Sequence, residues 1–153
     1  MHVIWEREIP AEDIVVSPRP MWKCRTCSMY GKRPSCPPHV PDWKEAREWI
    51  GHFRKAILIK FSIDMDDFEN EKRRAILYLL KRETELFREG NLYAMALFPG
   101  SCNLCDDCPF ERGEPCRFPT KVRPSIDAIG IEIGRLVKIN FSESVLYGMV
   151  LVD

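Results

Sequence analysis

Seven cysteines, gathered in two short segments, are the feature that most constrains how this chain folds. Cys24, Cys27 and Cys36 form a first group, and four further cysteines form a second group between residues 102 and 116. An odd number of thiols does not suit a closed disulfide framework, and a reducing cytosol keeps thiols free. Because clustered thiols in that setting usually bind a metal, we expect a cytoplasmic protein with metal-binding loops.

The second group has the spacing of an iron–sulfur site. Cys102, Cys105 and Cys108 have two residues between each pair, and Cys116 supplies a fourth thiol. A compact turn can aim three thiolates at one face of a [4Fe–4S] cluster, which needs four thiolates in all. The pattern therefore predicts an electron-handling iron–sulfur protein with a redox partner protein. Zinc is the main alternative and would make the chain a zinc-stabilised interaction module, while free buried thiols are the remaining one.

The first group offers three thiols rather than four. Cys24, Cys27 and Cys36 follow a C-x₂-C-x₈-C pattern, and the four lysines and arginines among them favour thiolate. Three interpretations stay open: a second metal centre with an exchangeable fourth position, a closed site with His39 as the fourth ligand, or a metal-free set of thiols. The first interpretation predicts an enzyme in which the other cluster supplies electrons to this site.

The rest of the sequence predicts one domain of strands and helices around these groups. Apolar patterning predicts strands at residues 2–8, 55–63, 92–98 and 144–152, and helices from Asp42 onwards and from about Asp66 to Arg88. Proline-rich residues 10–41 and 99–124 predict two long loops that carry the cysteines. Residues 125–139 fit a helix or a strand, and Ser125 as an N-cap favours the helix. We expect a single α+β or α/β domain over residues 1–153, with a central sheet of about four strands and flanking helices.

Charge and hydropathy exclude several classes of partner. Lysine and arginine number 23, as do aspartate and glutamate, so the net charge of zero argues against nucleic-acid binding. No apolar stretch approaches the roughly 20 residues of a membrane span, and the N-terminal residues lack the pattern of a secretory signal. The chain also carries no phosphate-binding loop motif and no dinucleotide-binding glycine motif. We therefore expect neither a nucleic acid nor a membrane as partner.

Two blocks of the sequence resemble a family of uncharacterised proteins that are predicted to bind metals and are common in archaea and anaerobic bacteria. The first block is Lys23-Cys24-x-x-Cys27-x-x-Tyr30-Gly31 followed by Cys36-Pro37-Pro38-x-x-Pro41. The second is Gly100-x-Cys102-x-x-Cys105-x-x-Cys108, then Cys116, Arg123-Pro124-Ser125 and Gly130-Ile131. The resemblance spans residues 22 to about 134 and implies metal binding, with iron–sulfur as the expected metal, but it indicates no substrate.

Overall fold

A four-stranded antiparallel sheet forms the centre of the molecule in the computed structural model, which describes residues 1–153. The strands are β1 (His2–Pro10), β2 (Lys55–Ser62), β3 (Met95–Leu97) and β4 (Val145–Val152). Their order across the sheet is β1-β2-β4-β3, and all three neighbouring pairs are antiparallel. The chain is a single α+β domain, which confirms the predicted fold class and the predicted number of strands.

Three helices accompany the sheet: α1 (Pro18–Cys24), α2 (Trp43–Ile50) and α3 (Phe68–Arg88). Helix α2 begins as predicted, because the Asp42 carboxylate accepts hydrogen bonds from the backbone N–H groups of Lys44 and Glu45. Helix α3 also has the predicted extent. It is followed by Gly90 at a φ of 105°, whose N–H donates back to the Phe87 carbonyl. None of these helices combines the length and the apolar run needed to cross a membrane.

Helix α1 lies within residues 10–41, where the sequence predicts only a loop. The helix begins because Ser17 Oγ accepts a hydrogen bond from the Arg19 N–H at 3.2 Å and Pro18 occupies the first turn. A serine followed by proline is a helix-start signal, although the surrounding prolines obscure it. Cys24, the first cysteine of this segment, is therefore the last residue of a helix and does not lie in an irregular loop.

The predicted helix over residues 125–139 is wrong. The segment contains two short 3-10 turns, Asp127–Ile129 and Ile133–Arg135, separated by Gly130 at a φ of 89°. Ile131 forms an isolated antiparallel bridge with Val16. A left-handed glycine and a tertiary backbone contact therefore override the helical spacing of the isoleucines.

The sheet buries an apolar cluster on each face, because successive side chains along a strand point to opposite sides. On β2, Ala56 and Leu58 belong to one cluster, whereas Ile57 and Ile59 belong to the other. Helix α2 and irregular segments at 11–16 and 126–137 cover the first face, and α3 covers the second. Most of this packing lies outside the cysteine loops, but Cys102 belongs to the second cluster, and Leu104 and Val122 pack against it.

Candidate metal centres

The two cysteine loops meet just beyond strand β3. There the Phe98 N–H donates to the Pro124 carbonyl at 2.8 Å, and the Ile126 N–H donates to the Phe98 carbonyl at 3.1 Å. The Ser125 N–H in turn donates to the Ser35 carbonyl of the first loop at 3.1 Å. Backbone hydrogen bonds therefore tie together three segments that are far apart in the sequence.

All four cysteines of the second group line one cavity. Cys102, Cys105, Cys108 and Cys116 surround a narrow space of about 10 Å³. The other lining side chains are mostly apolar: Pro34, Leu104, Pro109, Phe118 and Val122, with Arg117 as the one charged residue. The structure thus brings the four predicted cluster ligands together. Their sulfur atoms are the side-chain groups in this cavity that can bind a metal.

Local backbone geometry holds the second loop in place. The Cys102 N–H donates to Ser35 Oγ at 2.7 Å, which anchors the first cysteine of the group. Pro109 opens a 3-10 turn directly after Cys108, and Gly113 closes the turn with a φ of 79°. Burial raises the pKa of Cys102, so this thiol must lose its proton when a metal binds.

The acidic side chains of the second loop are paired with arginines and do not line its cavity. The ion pairs are Asp106–Arg73, Glu111–Arg33, Asp107–Arg112 and Glu114–Arg112. Arg33 belongs to the first loop, and its guanidinium group interacts electrostatically with Cys102 and Cys108 of the second. A cation rather than a carboxylate therefore lies near these thiols.

A buried lysine lies between the two cysteine groups. Lys72 of α3 is only 6% exposed, and its ammonium group donates to Ser101 Oγ at 3.1 Å. Burial lowers the pKa of Lys72, while the negative charge of Glu69 and, after it, those of Cys36 in the first group and Cys102 in the second raise it. A single cation from the long helix therefore acts electrostatically on both groups.

Tight turns bring the three cysteines of the first group together. Cys24 ends helix α1, and the Cys27 N–H donates to the Cys24 carbonyl at 3.0 Å. Cys27 Sγ accepts a backbone hydrogen bond from Met29 at 3.4 Å. Gly31, at a φ of 73°, reverses the chain, and its N–H donates to the Pro37 carbonyl at 2.9 Å. This reversal brings Cys36 back towards Cys24 and Cys27.

The first group lines a second cavity, of about 100 Å³. Its walls carry all three thiols together with the side chain of Asp127. Burial is the main cause that raises the pKa of Cys24 to about 11, and the negative charges of Asp127, Cys36 and Cys27 add to the effect. Three thiols and one carboxylate therefore share one cavity, and the other three groups oppose the ionisation of Cys24.

Asp127 is the candidate ligand that sequence reasoning misses. It opens the short turn Asp127–Ile129, and its carboxylate has no hydrogen-bond or ion-pair partner to offset the burial that raises its pKa. The residue reaches solvent through the mouth of the cavity even though protein surrounds it on most sides. One aspartate within a predicted helix matches no ligand pattern. Its place two residues after the Arg123-Pro124-Ser125 block is the only signal that could have indicated it.

His39, the alternative fourth ligand of the first group, lines neither cavity. Its Nε2 atom lies 3.0 Å from the Gly31 carbonyl oxygen. The imidazole ring also packs edge-on against Phe110 of the second loop, with ring centroids 4.8 Å apart. The structure therefore places His39 as a link between the two loops and does not bring it to the three thiols.

Ser35, which is fully buried, contacts one cysteine of each group. Its hydroxyl lies 3.7 Å from Cys36 Sγ and accepts the hydrogen bond from the Cys102 N–H. In neither group are three His, Cys, Asp or Glu side chains arranged as they are around a bound metal ion. Metal coordination by these residues therefore stays a prediction, whereas their gathering around two adjacent cavities is observed.

Comparison with known proteins agrees with the chemistry of these side chains. A family model described as "Predicted metal-binding protein" (DUF2284) matches residues 7–148. Neither a search of the curated proteins nor a search of the solved structures found a match. The matched segment includes all seven cysteines as well as Lys72 and Asp127, so both cavities lie inside it.

Proposed function

The chain belongs to the DUF2284 family of predicted metal-binding proteins, and from this premise we propose that it is an iron–sulfur protein that carries single electrons. Cys102, Cys105, Cys108 and Cys116 hold a [4Fe–4S] cluster in this proposal. The observation that carries it is that these four thiols line one cavity whose other side chains offer no competing metal donor. Such a cluster, when bound, accepts and releases one electron at a time.

The residues around the cavity fit this task. Pro34, Leu104 and Phe118 supply apolar cover that limits the access of water to the sulfurs. Arg117 lines the cavity, and the charges of Arg33 and Lys72 act on Cys102. Because four thiolates give the site a negative charge, nearby cations favour uptake of an electron.

The narrowness of the cavity, about 10 Å³, favours a second candidate function, a zinc-stabilised interaction module. One zinc ion takes four thiolates at about 2.3 Å and needs less room than a cluster of iron and sulfide. Two observations favour iron and sulfide instead. The C-x₂-C-x₂-C run crowds three thiols onto one short turn, and Arg33, Lys72 and Arg117 lie near the site, where positive charge favours uptake of an electron.

Metal analysis of anaerobically purified protein tests the proposal. We expect about four irons and about four sulfides from this site, and an electron paramagnetic resonance signal after dithionite reduction. Cys105→Ser and Cys116→Ser should each remove that signal, whereas Thr120→Ser, an exposed substitution in the same loop, should keep it. A colourless protein with one zinc per chain and no iron would establish the zinc module instead.

A further inference from the structure

The cavity of the first group gathers four acidic side chains at one place. Cys24, Cys27, Cys36 and Asp127 all line it, and the Asp127 carboxylate has no hydrogen-bond or ion-pair partner in the protein. Thiolates and carboxylates are side-chain groups that bind metal ions, and here three thiols and one carboxylate line the same space. The cavity therefore offers the donor set of a metal site.

Specific contacts hold Cys24 against the turn that carries Asp127. The Ser17 N–H, at the start of α1, donates to the Gly130 carbonyl at 2.8 Å. Arg19 of the same helix donates twice to Glu132, with both distances 2.7 Å. Helix α1 is thereby docked at Gly130 and Glu132, directly after the turn that carries Asp127. The position of its last residue relative to Asp127 follows from that docking.

We propose that Cys24, Cys27, Cys36 and Asp127 form a second metal centre, an iron–sulfur cluster held by three thiolates with the Asp127 carboxylate at an exchangeable fourth position. The choice of these four donors stands on the cavity alone. The identity of the metal as iron and sulfide rests on the proposed function of the other group. The proposal assigns Asp127 a role that the cysteine pattern does not contain.

The fourth position is the one at which a small molecule binds. Carboxylate oxygen is a harder donor than thiolate and binds thiolate-preferring metals less strongly, so it is displaced first. Asp127 also stands where the cavity opens to solvent, and the hydroxyl-bearing residues Tyr30, Ser101 and Ser125 line the same space. These side chains suit a small polar ligand that carries one metal-binding oxygen, nitrogen or sulfur atom.

Ser35 provides the proposed route for electrons between the two cysteine groups. Ser35 lies against Cys36 on one side and accepts the hydrogen bond from the Cys102 amide on the other. A centre that binds a small ligand next to a centre that stores an electron is the arrangement of a reductive enzyme. The proposal thus gives the first group the ligand-binding role and the second group the electron-supplying role.

Cyanide is the probe that tests the exchangeable position in the full-length protein. Iron, sulfide and the electron paramagnetic resonance spectrum are measured without air for the wild type, Asp127→Ala and Asp127→Cys. Asp13→Asn serves as the matched control, because Asp13 is exposed and lines neither cavity. Circular dichroism and the unfolding midpoint of each variant show that the fold is retained.

We expect the wild type to hold about eight irons in two clusters, one of whose signals changes with cyanide. If Asp127 occupies the fourth position about nine-tenths of the time, Asp127→Ala should bind cyanide at about tenfold lower concentration. Asp127→Cys should abolish the cyanide effect, since a fourth thiolate closes the site, and the control should match the wild type. Equal cyanide responses in all four proteins would overturn the role of Asp127.

Paired cysteine variants separate this inference from the proposed function. Loss of only about half of the iron in the double variant Cys24→Ser, Cys36→Ser supports the second centre, and full retention of iron overturns it while the other cluster stands. The double variant Cys105→Ser, Cys108→Ser tests the other group in the same way. If only this second variant keeps all its iron, the proposed function fails while the first-group centre stands. One zinc in the first group would overturn the iron–sulfur identity.

Discussion

At the scale of single residues, the buried ammonium of Lys72 is a charge that acts on both cysteine groups. It makes one side-chain hydrogen bond, to Ser101 at 3.1 Å, and forms no ion pair with a carboxylate. Burying a lysine in this way is costly unless negative charge lies close by. Glu69 supplies part of that charge, and Cys36 and Cys102 would supply more as thiolates of the proposed metal centres.

We predict that Lys72→Met lowers the reduction potential of the proposed cluster on the second group. Removing a nearby positive charge makes an added electron less favourable, by on the order of 1–2 kcal/mol at an effective dielectric constant of about 20. The measurement is a dithionite titration followed by electron paramagnetic resonance. Lys81→Met, which removes an exposed lysine of the same helix, should leave the potential unchanged. Equal potentials in both variants would show that Lys72 does not act on the centre.

At this scale the sequence predicts the thiols but not their surroundings. The spacing of Cys102, Cys105 and Cys108 predicts that they share a site, and they line one cavity. Lys72 and Asp127 have no pattern that links them to cysteines, because each reaches its cavity from a segment distant in the sequence. Their roles follow from tertiary contacts, which local spacing does not encode.

At the scale of elements, the docking of α1 against residues 130–132 decides where the first group sits. Gly130 allows the close approach: a Cβ atom there would lie 2.4 Å from the Ser17 carbonyl oxygen and 2.9 Å from Trp43 Cβ. Its φ of 89° also disfavours any residue with a side chain. The same glycine therefore ends the 3-10 turn that carries Asp127 and accommodates the start of α1.

Gly130→Ala should destabilise the protein by about 2–5 kcal/mol, from about 1–2 kcal/mol of backbone strain and about 1–3 kcal/mol of overpacking. Denaturant unfolding of the metal-free protein measures the change. Gly134→Ala is the matched control, because a Cβ there meets no atom within 4 Å and its φ is not positive. An equally small effect at both glycines would contradict the proposed close docking of α1.

The Glu132 ion pair gives the same docking a pH dependence. Hydrogen bonds from Arg19 and Ser17 hold the pKa of Glu132 at about 2, below the value of about 4.3 expected in the unfolded chain. A lowered pKa stabilises the fold above the unfolded value, and this stabilisation is lost as the pH falls from about 4.3 towards 2. Glu132→Gln should therefore be less stable than the wild type at pH 7.

The difference in the free energy of unfolding between the wild type and Glu132→Gln should become smaller as the pH falls towards 2, because the wild-type carboxylate is then protonated. Urea unfolding of the metal-free proteins at several pH values follows this change. Glu12→Gln, at an exposed residue of the neighbouring turn, is the control and should track the wild type. A difference in the free energy of unfolding that stays constant at all pH values would show that the ion pair does not hold α1.

Strands and capped helices are the elements that the sequence predicts well, because their signals are local. Asp42 caps α2, and Gly90 follows the end of α3, as their positions in the sequence indicate. The order β1-β2-β4-β3 is not readable in this way, since β4 inserts between strands that precede it in the chain. Residues 125–139 mislead for a related reason: their isoleucines pack in the core although a left-handed glycine separates the two short turns of the segment.

At the scale of the whole molecule, the sheet and the cysteine loops are stabilised differently. The sheet has an apolar cluster on each face, built largely from β2, β4, α3 and the segments that cover the other side. Within residues 17–41 and 99–124, by contrast, the buried side chains other than prolines are Ser35, Cys36, Cys102 and Asn103. The loops therefore lack a core of their own, and the proposed metal is the contact that would hold them.

Removing the metal should therefore loosen the loops and leave the sheet folded. Hydrogen exchange followed by mass spectrometry, with metal-loaded and metal-free protein compared without air, measures this directly. Amides of residues 24–37 and 102–118 should exchange at least about tenfold faster without metal, because few buried contacts oppose their local opening. Amides of β2 and β4 should stay protected, since the isoleucines at 126, 129 and 131 cover one face of the sheet without any cysteine ligand. Fast exchange throughout the sheet would mean that the metal organises the whole core, and unchanged loops would mean that the cysteines hold no metal.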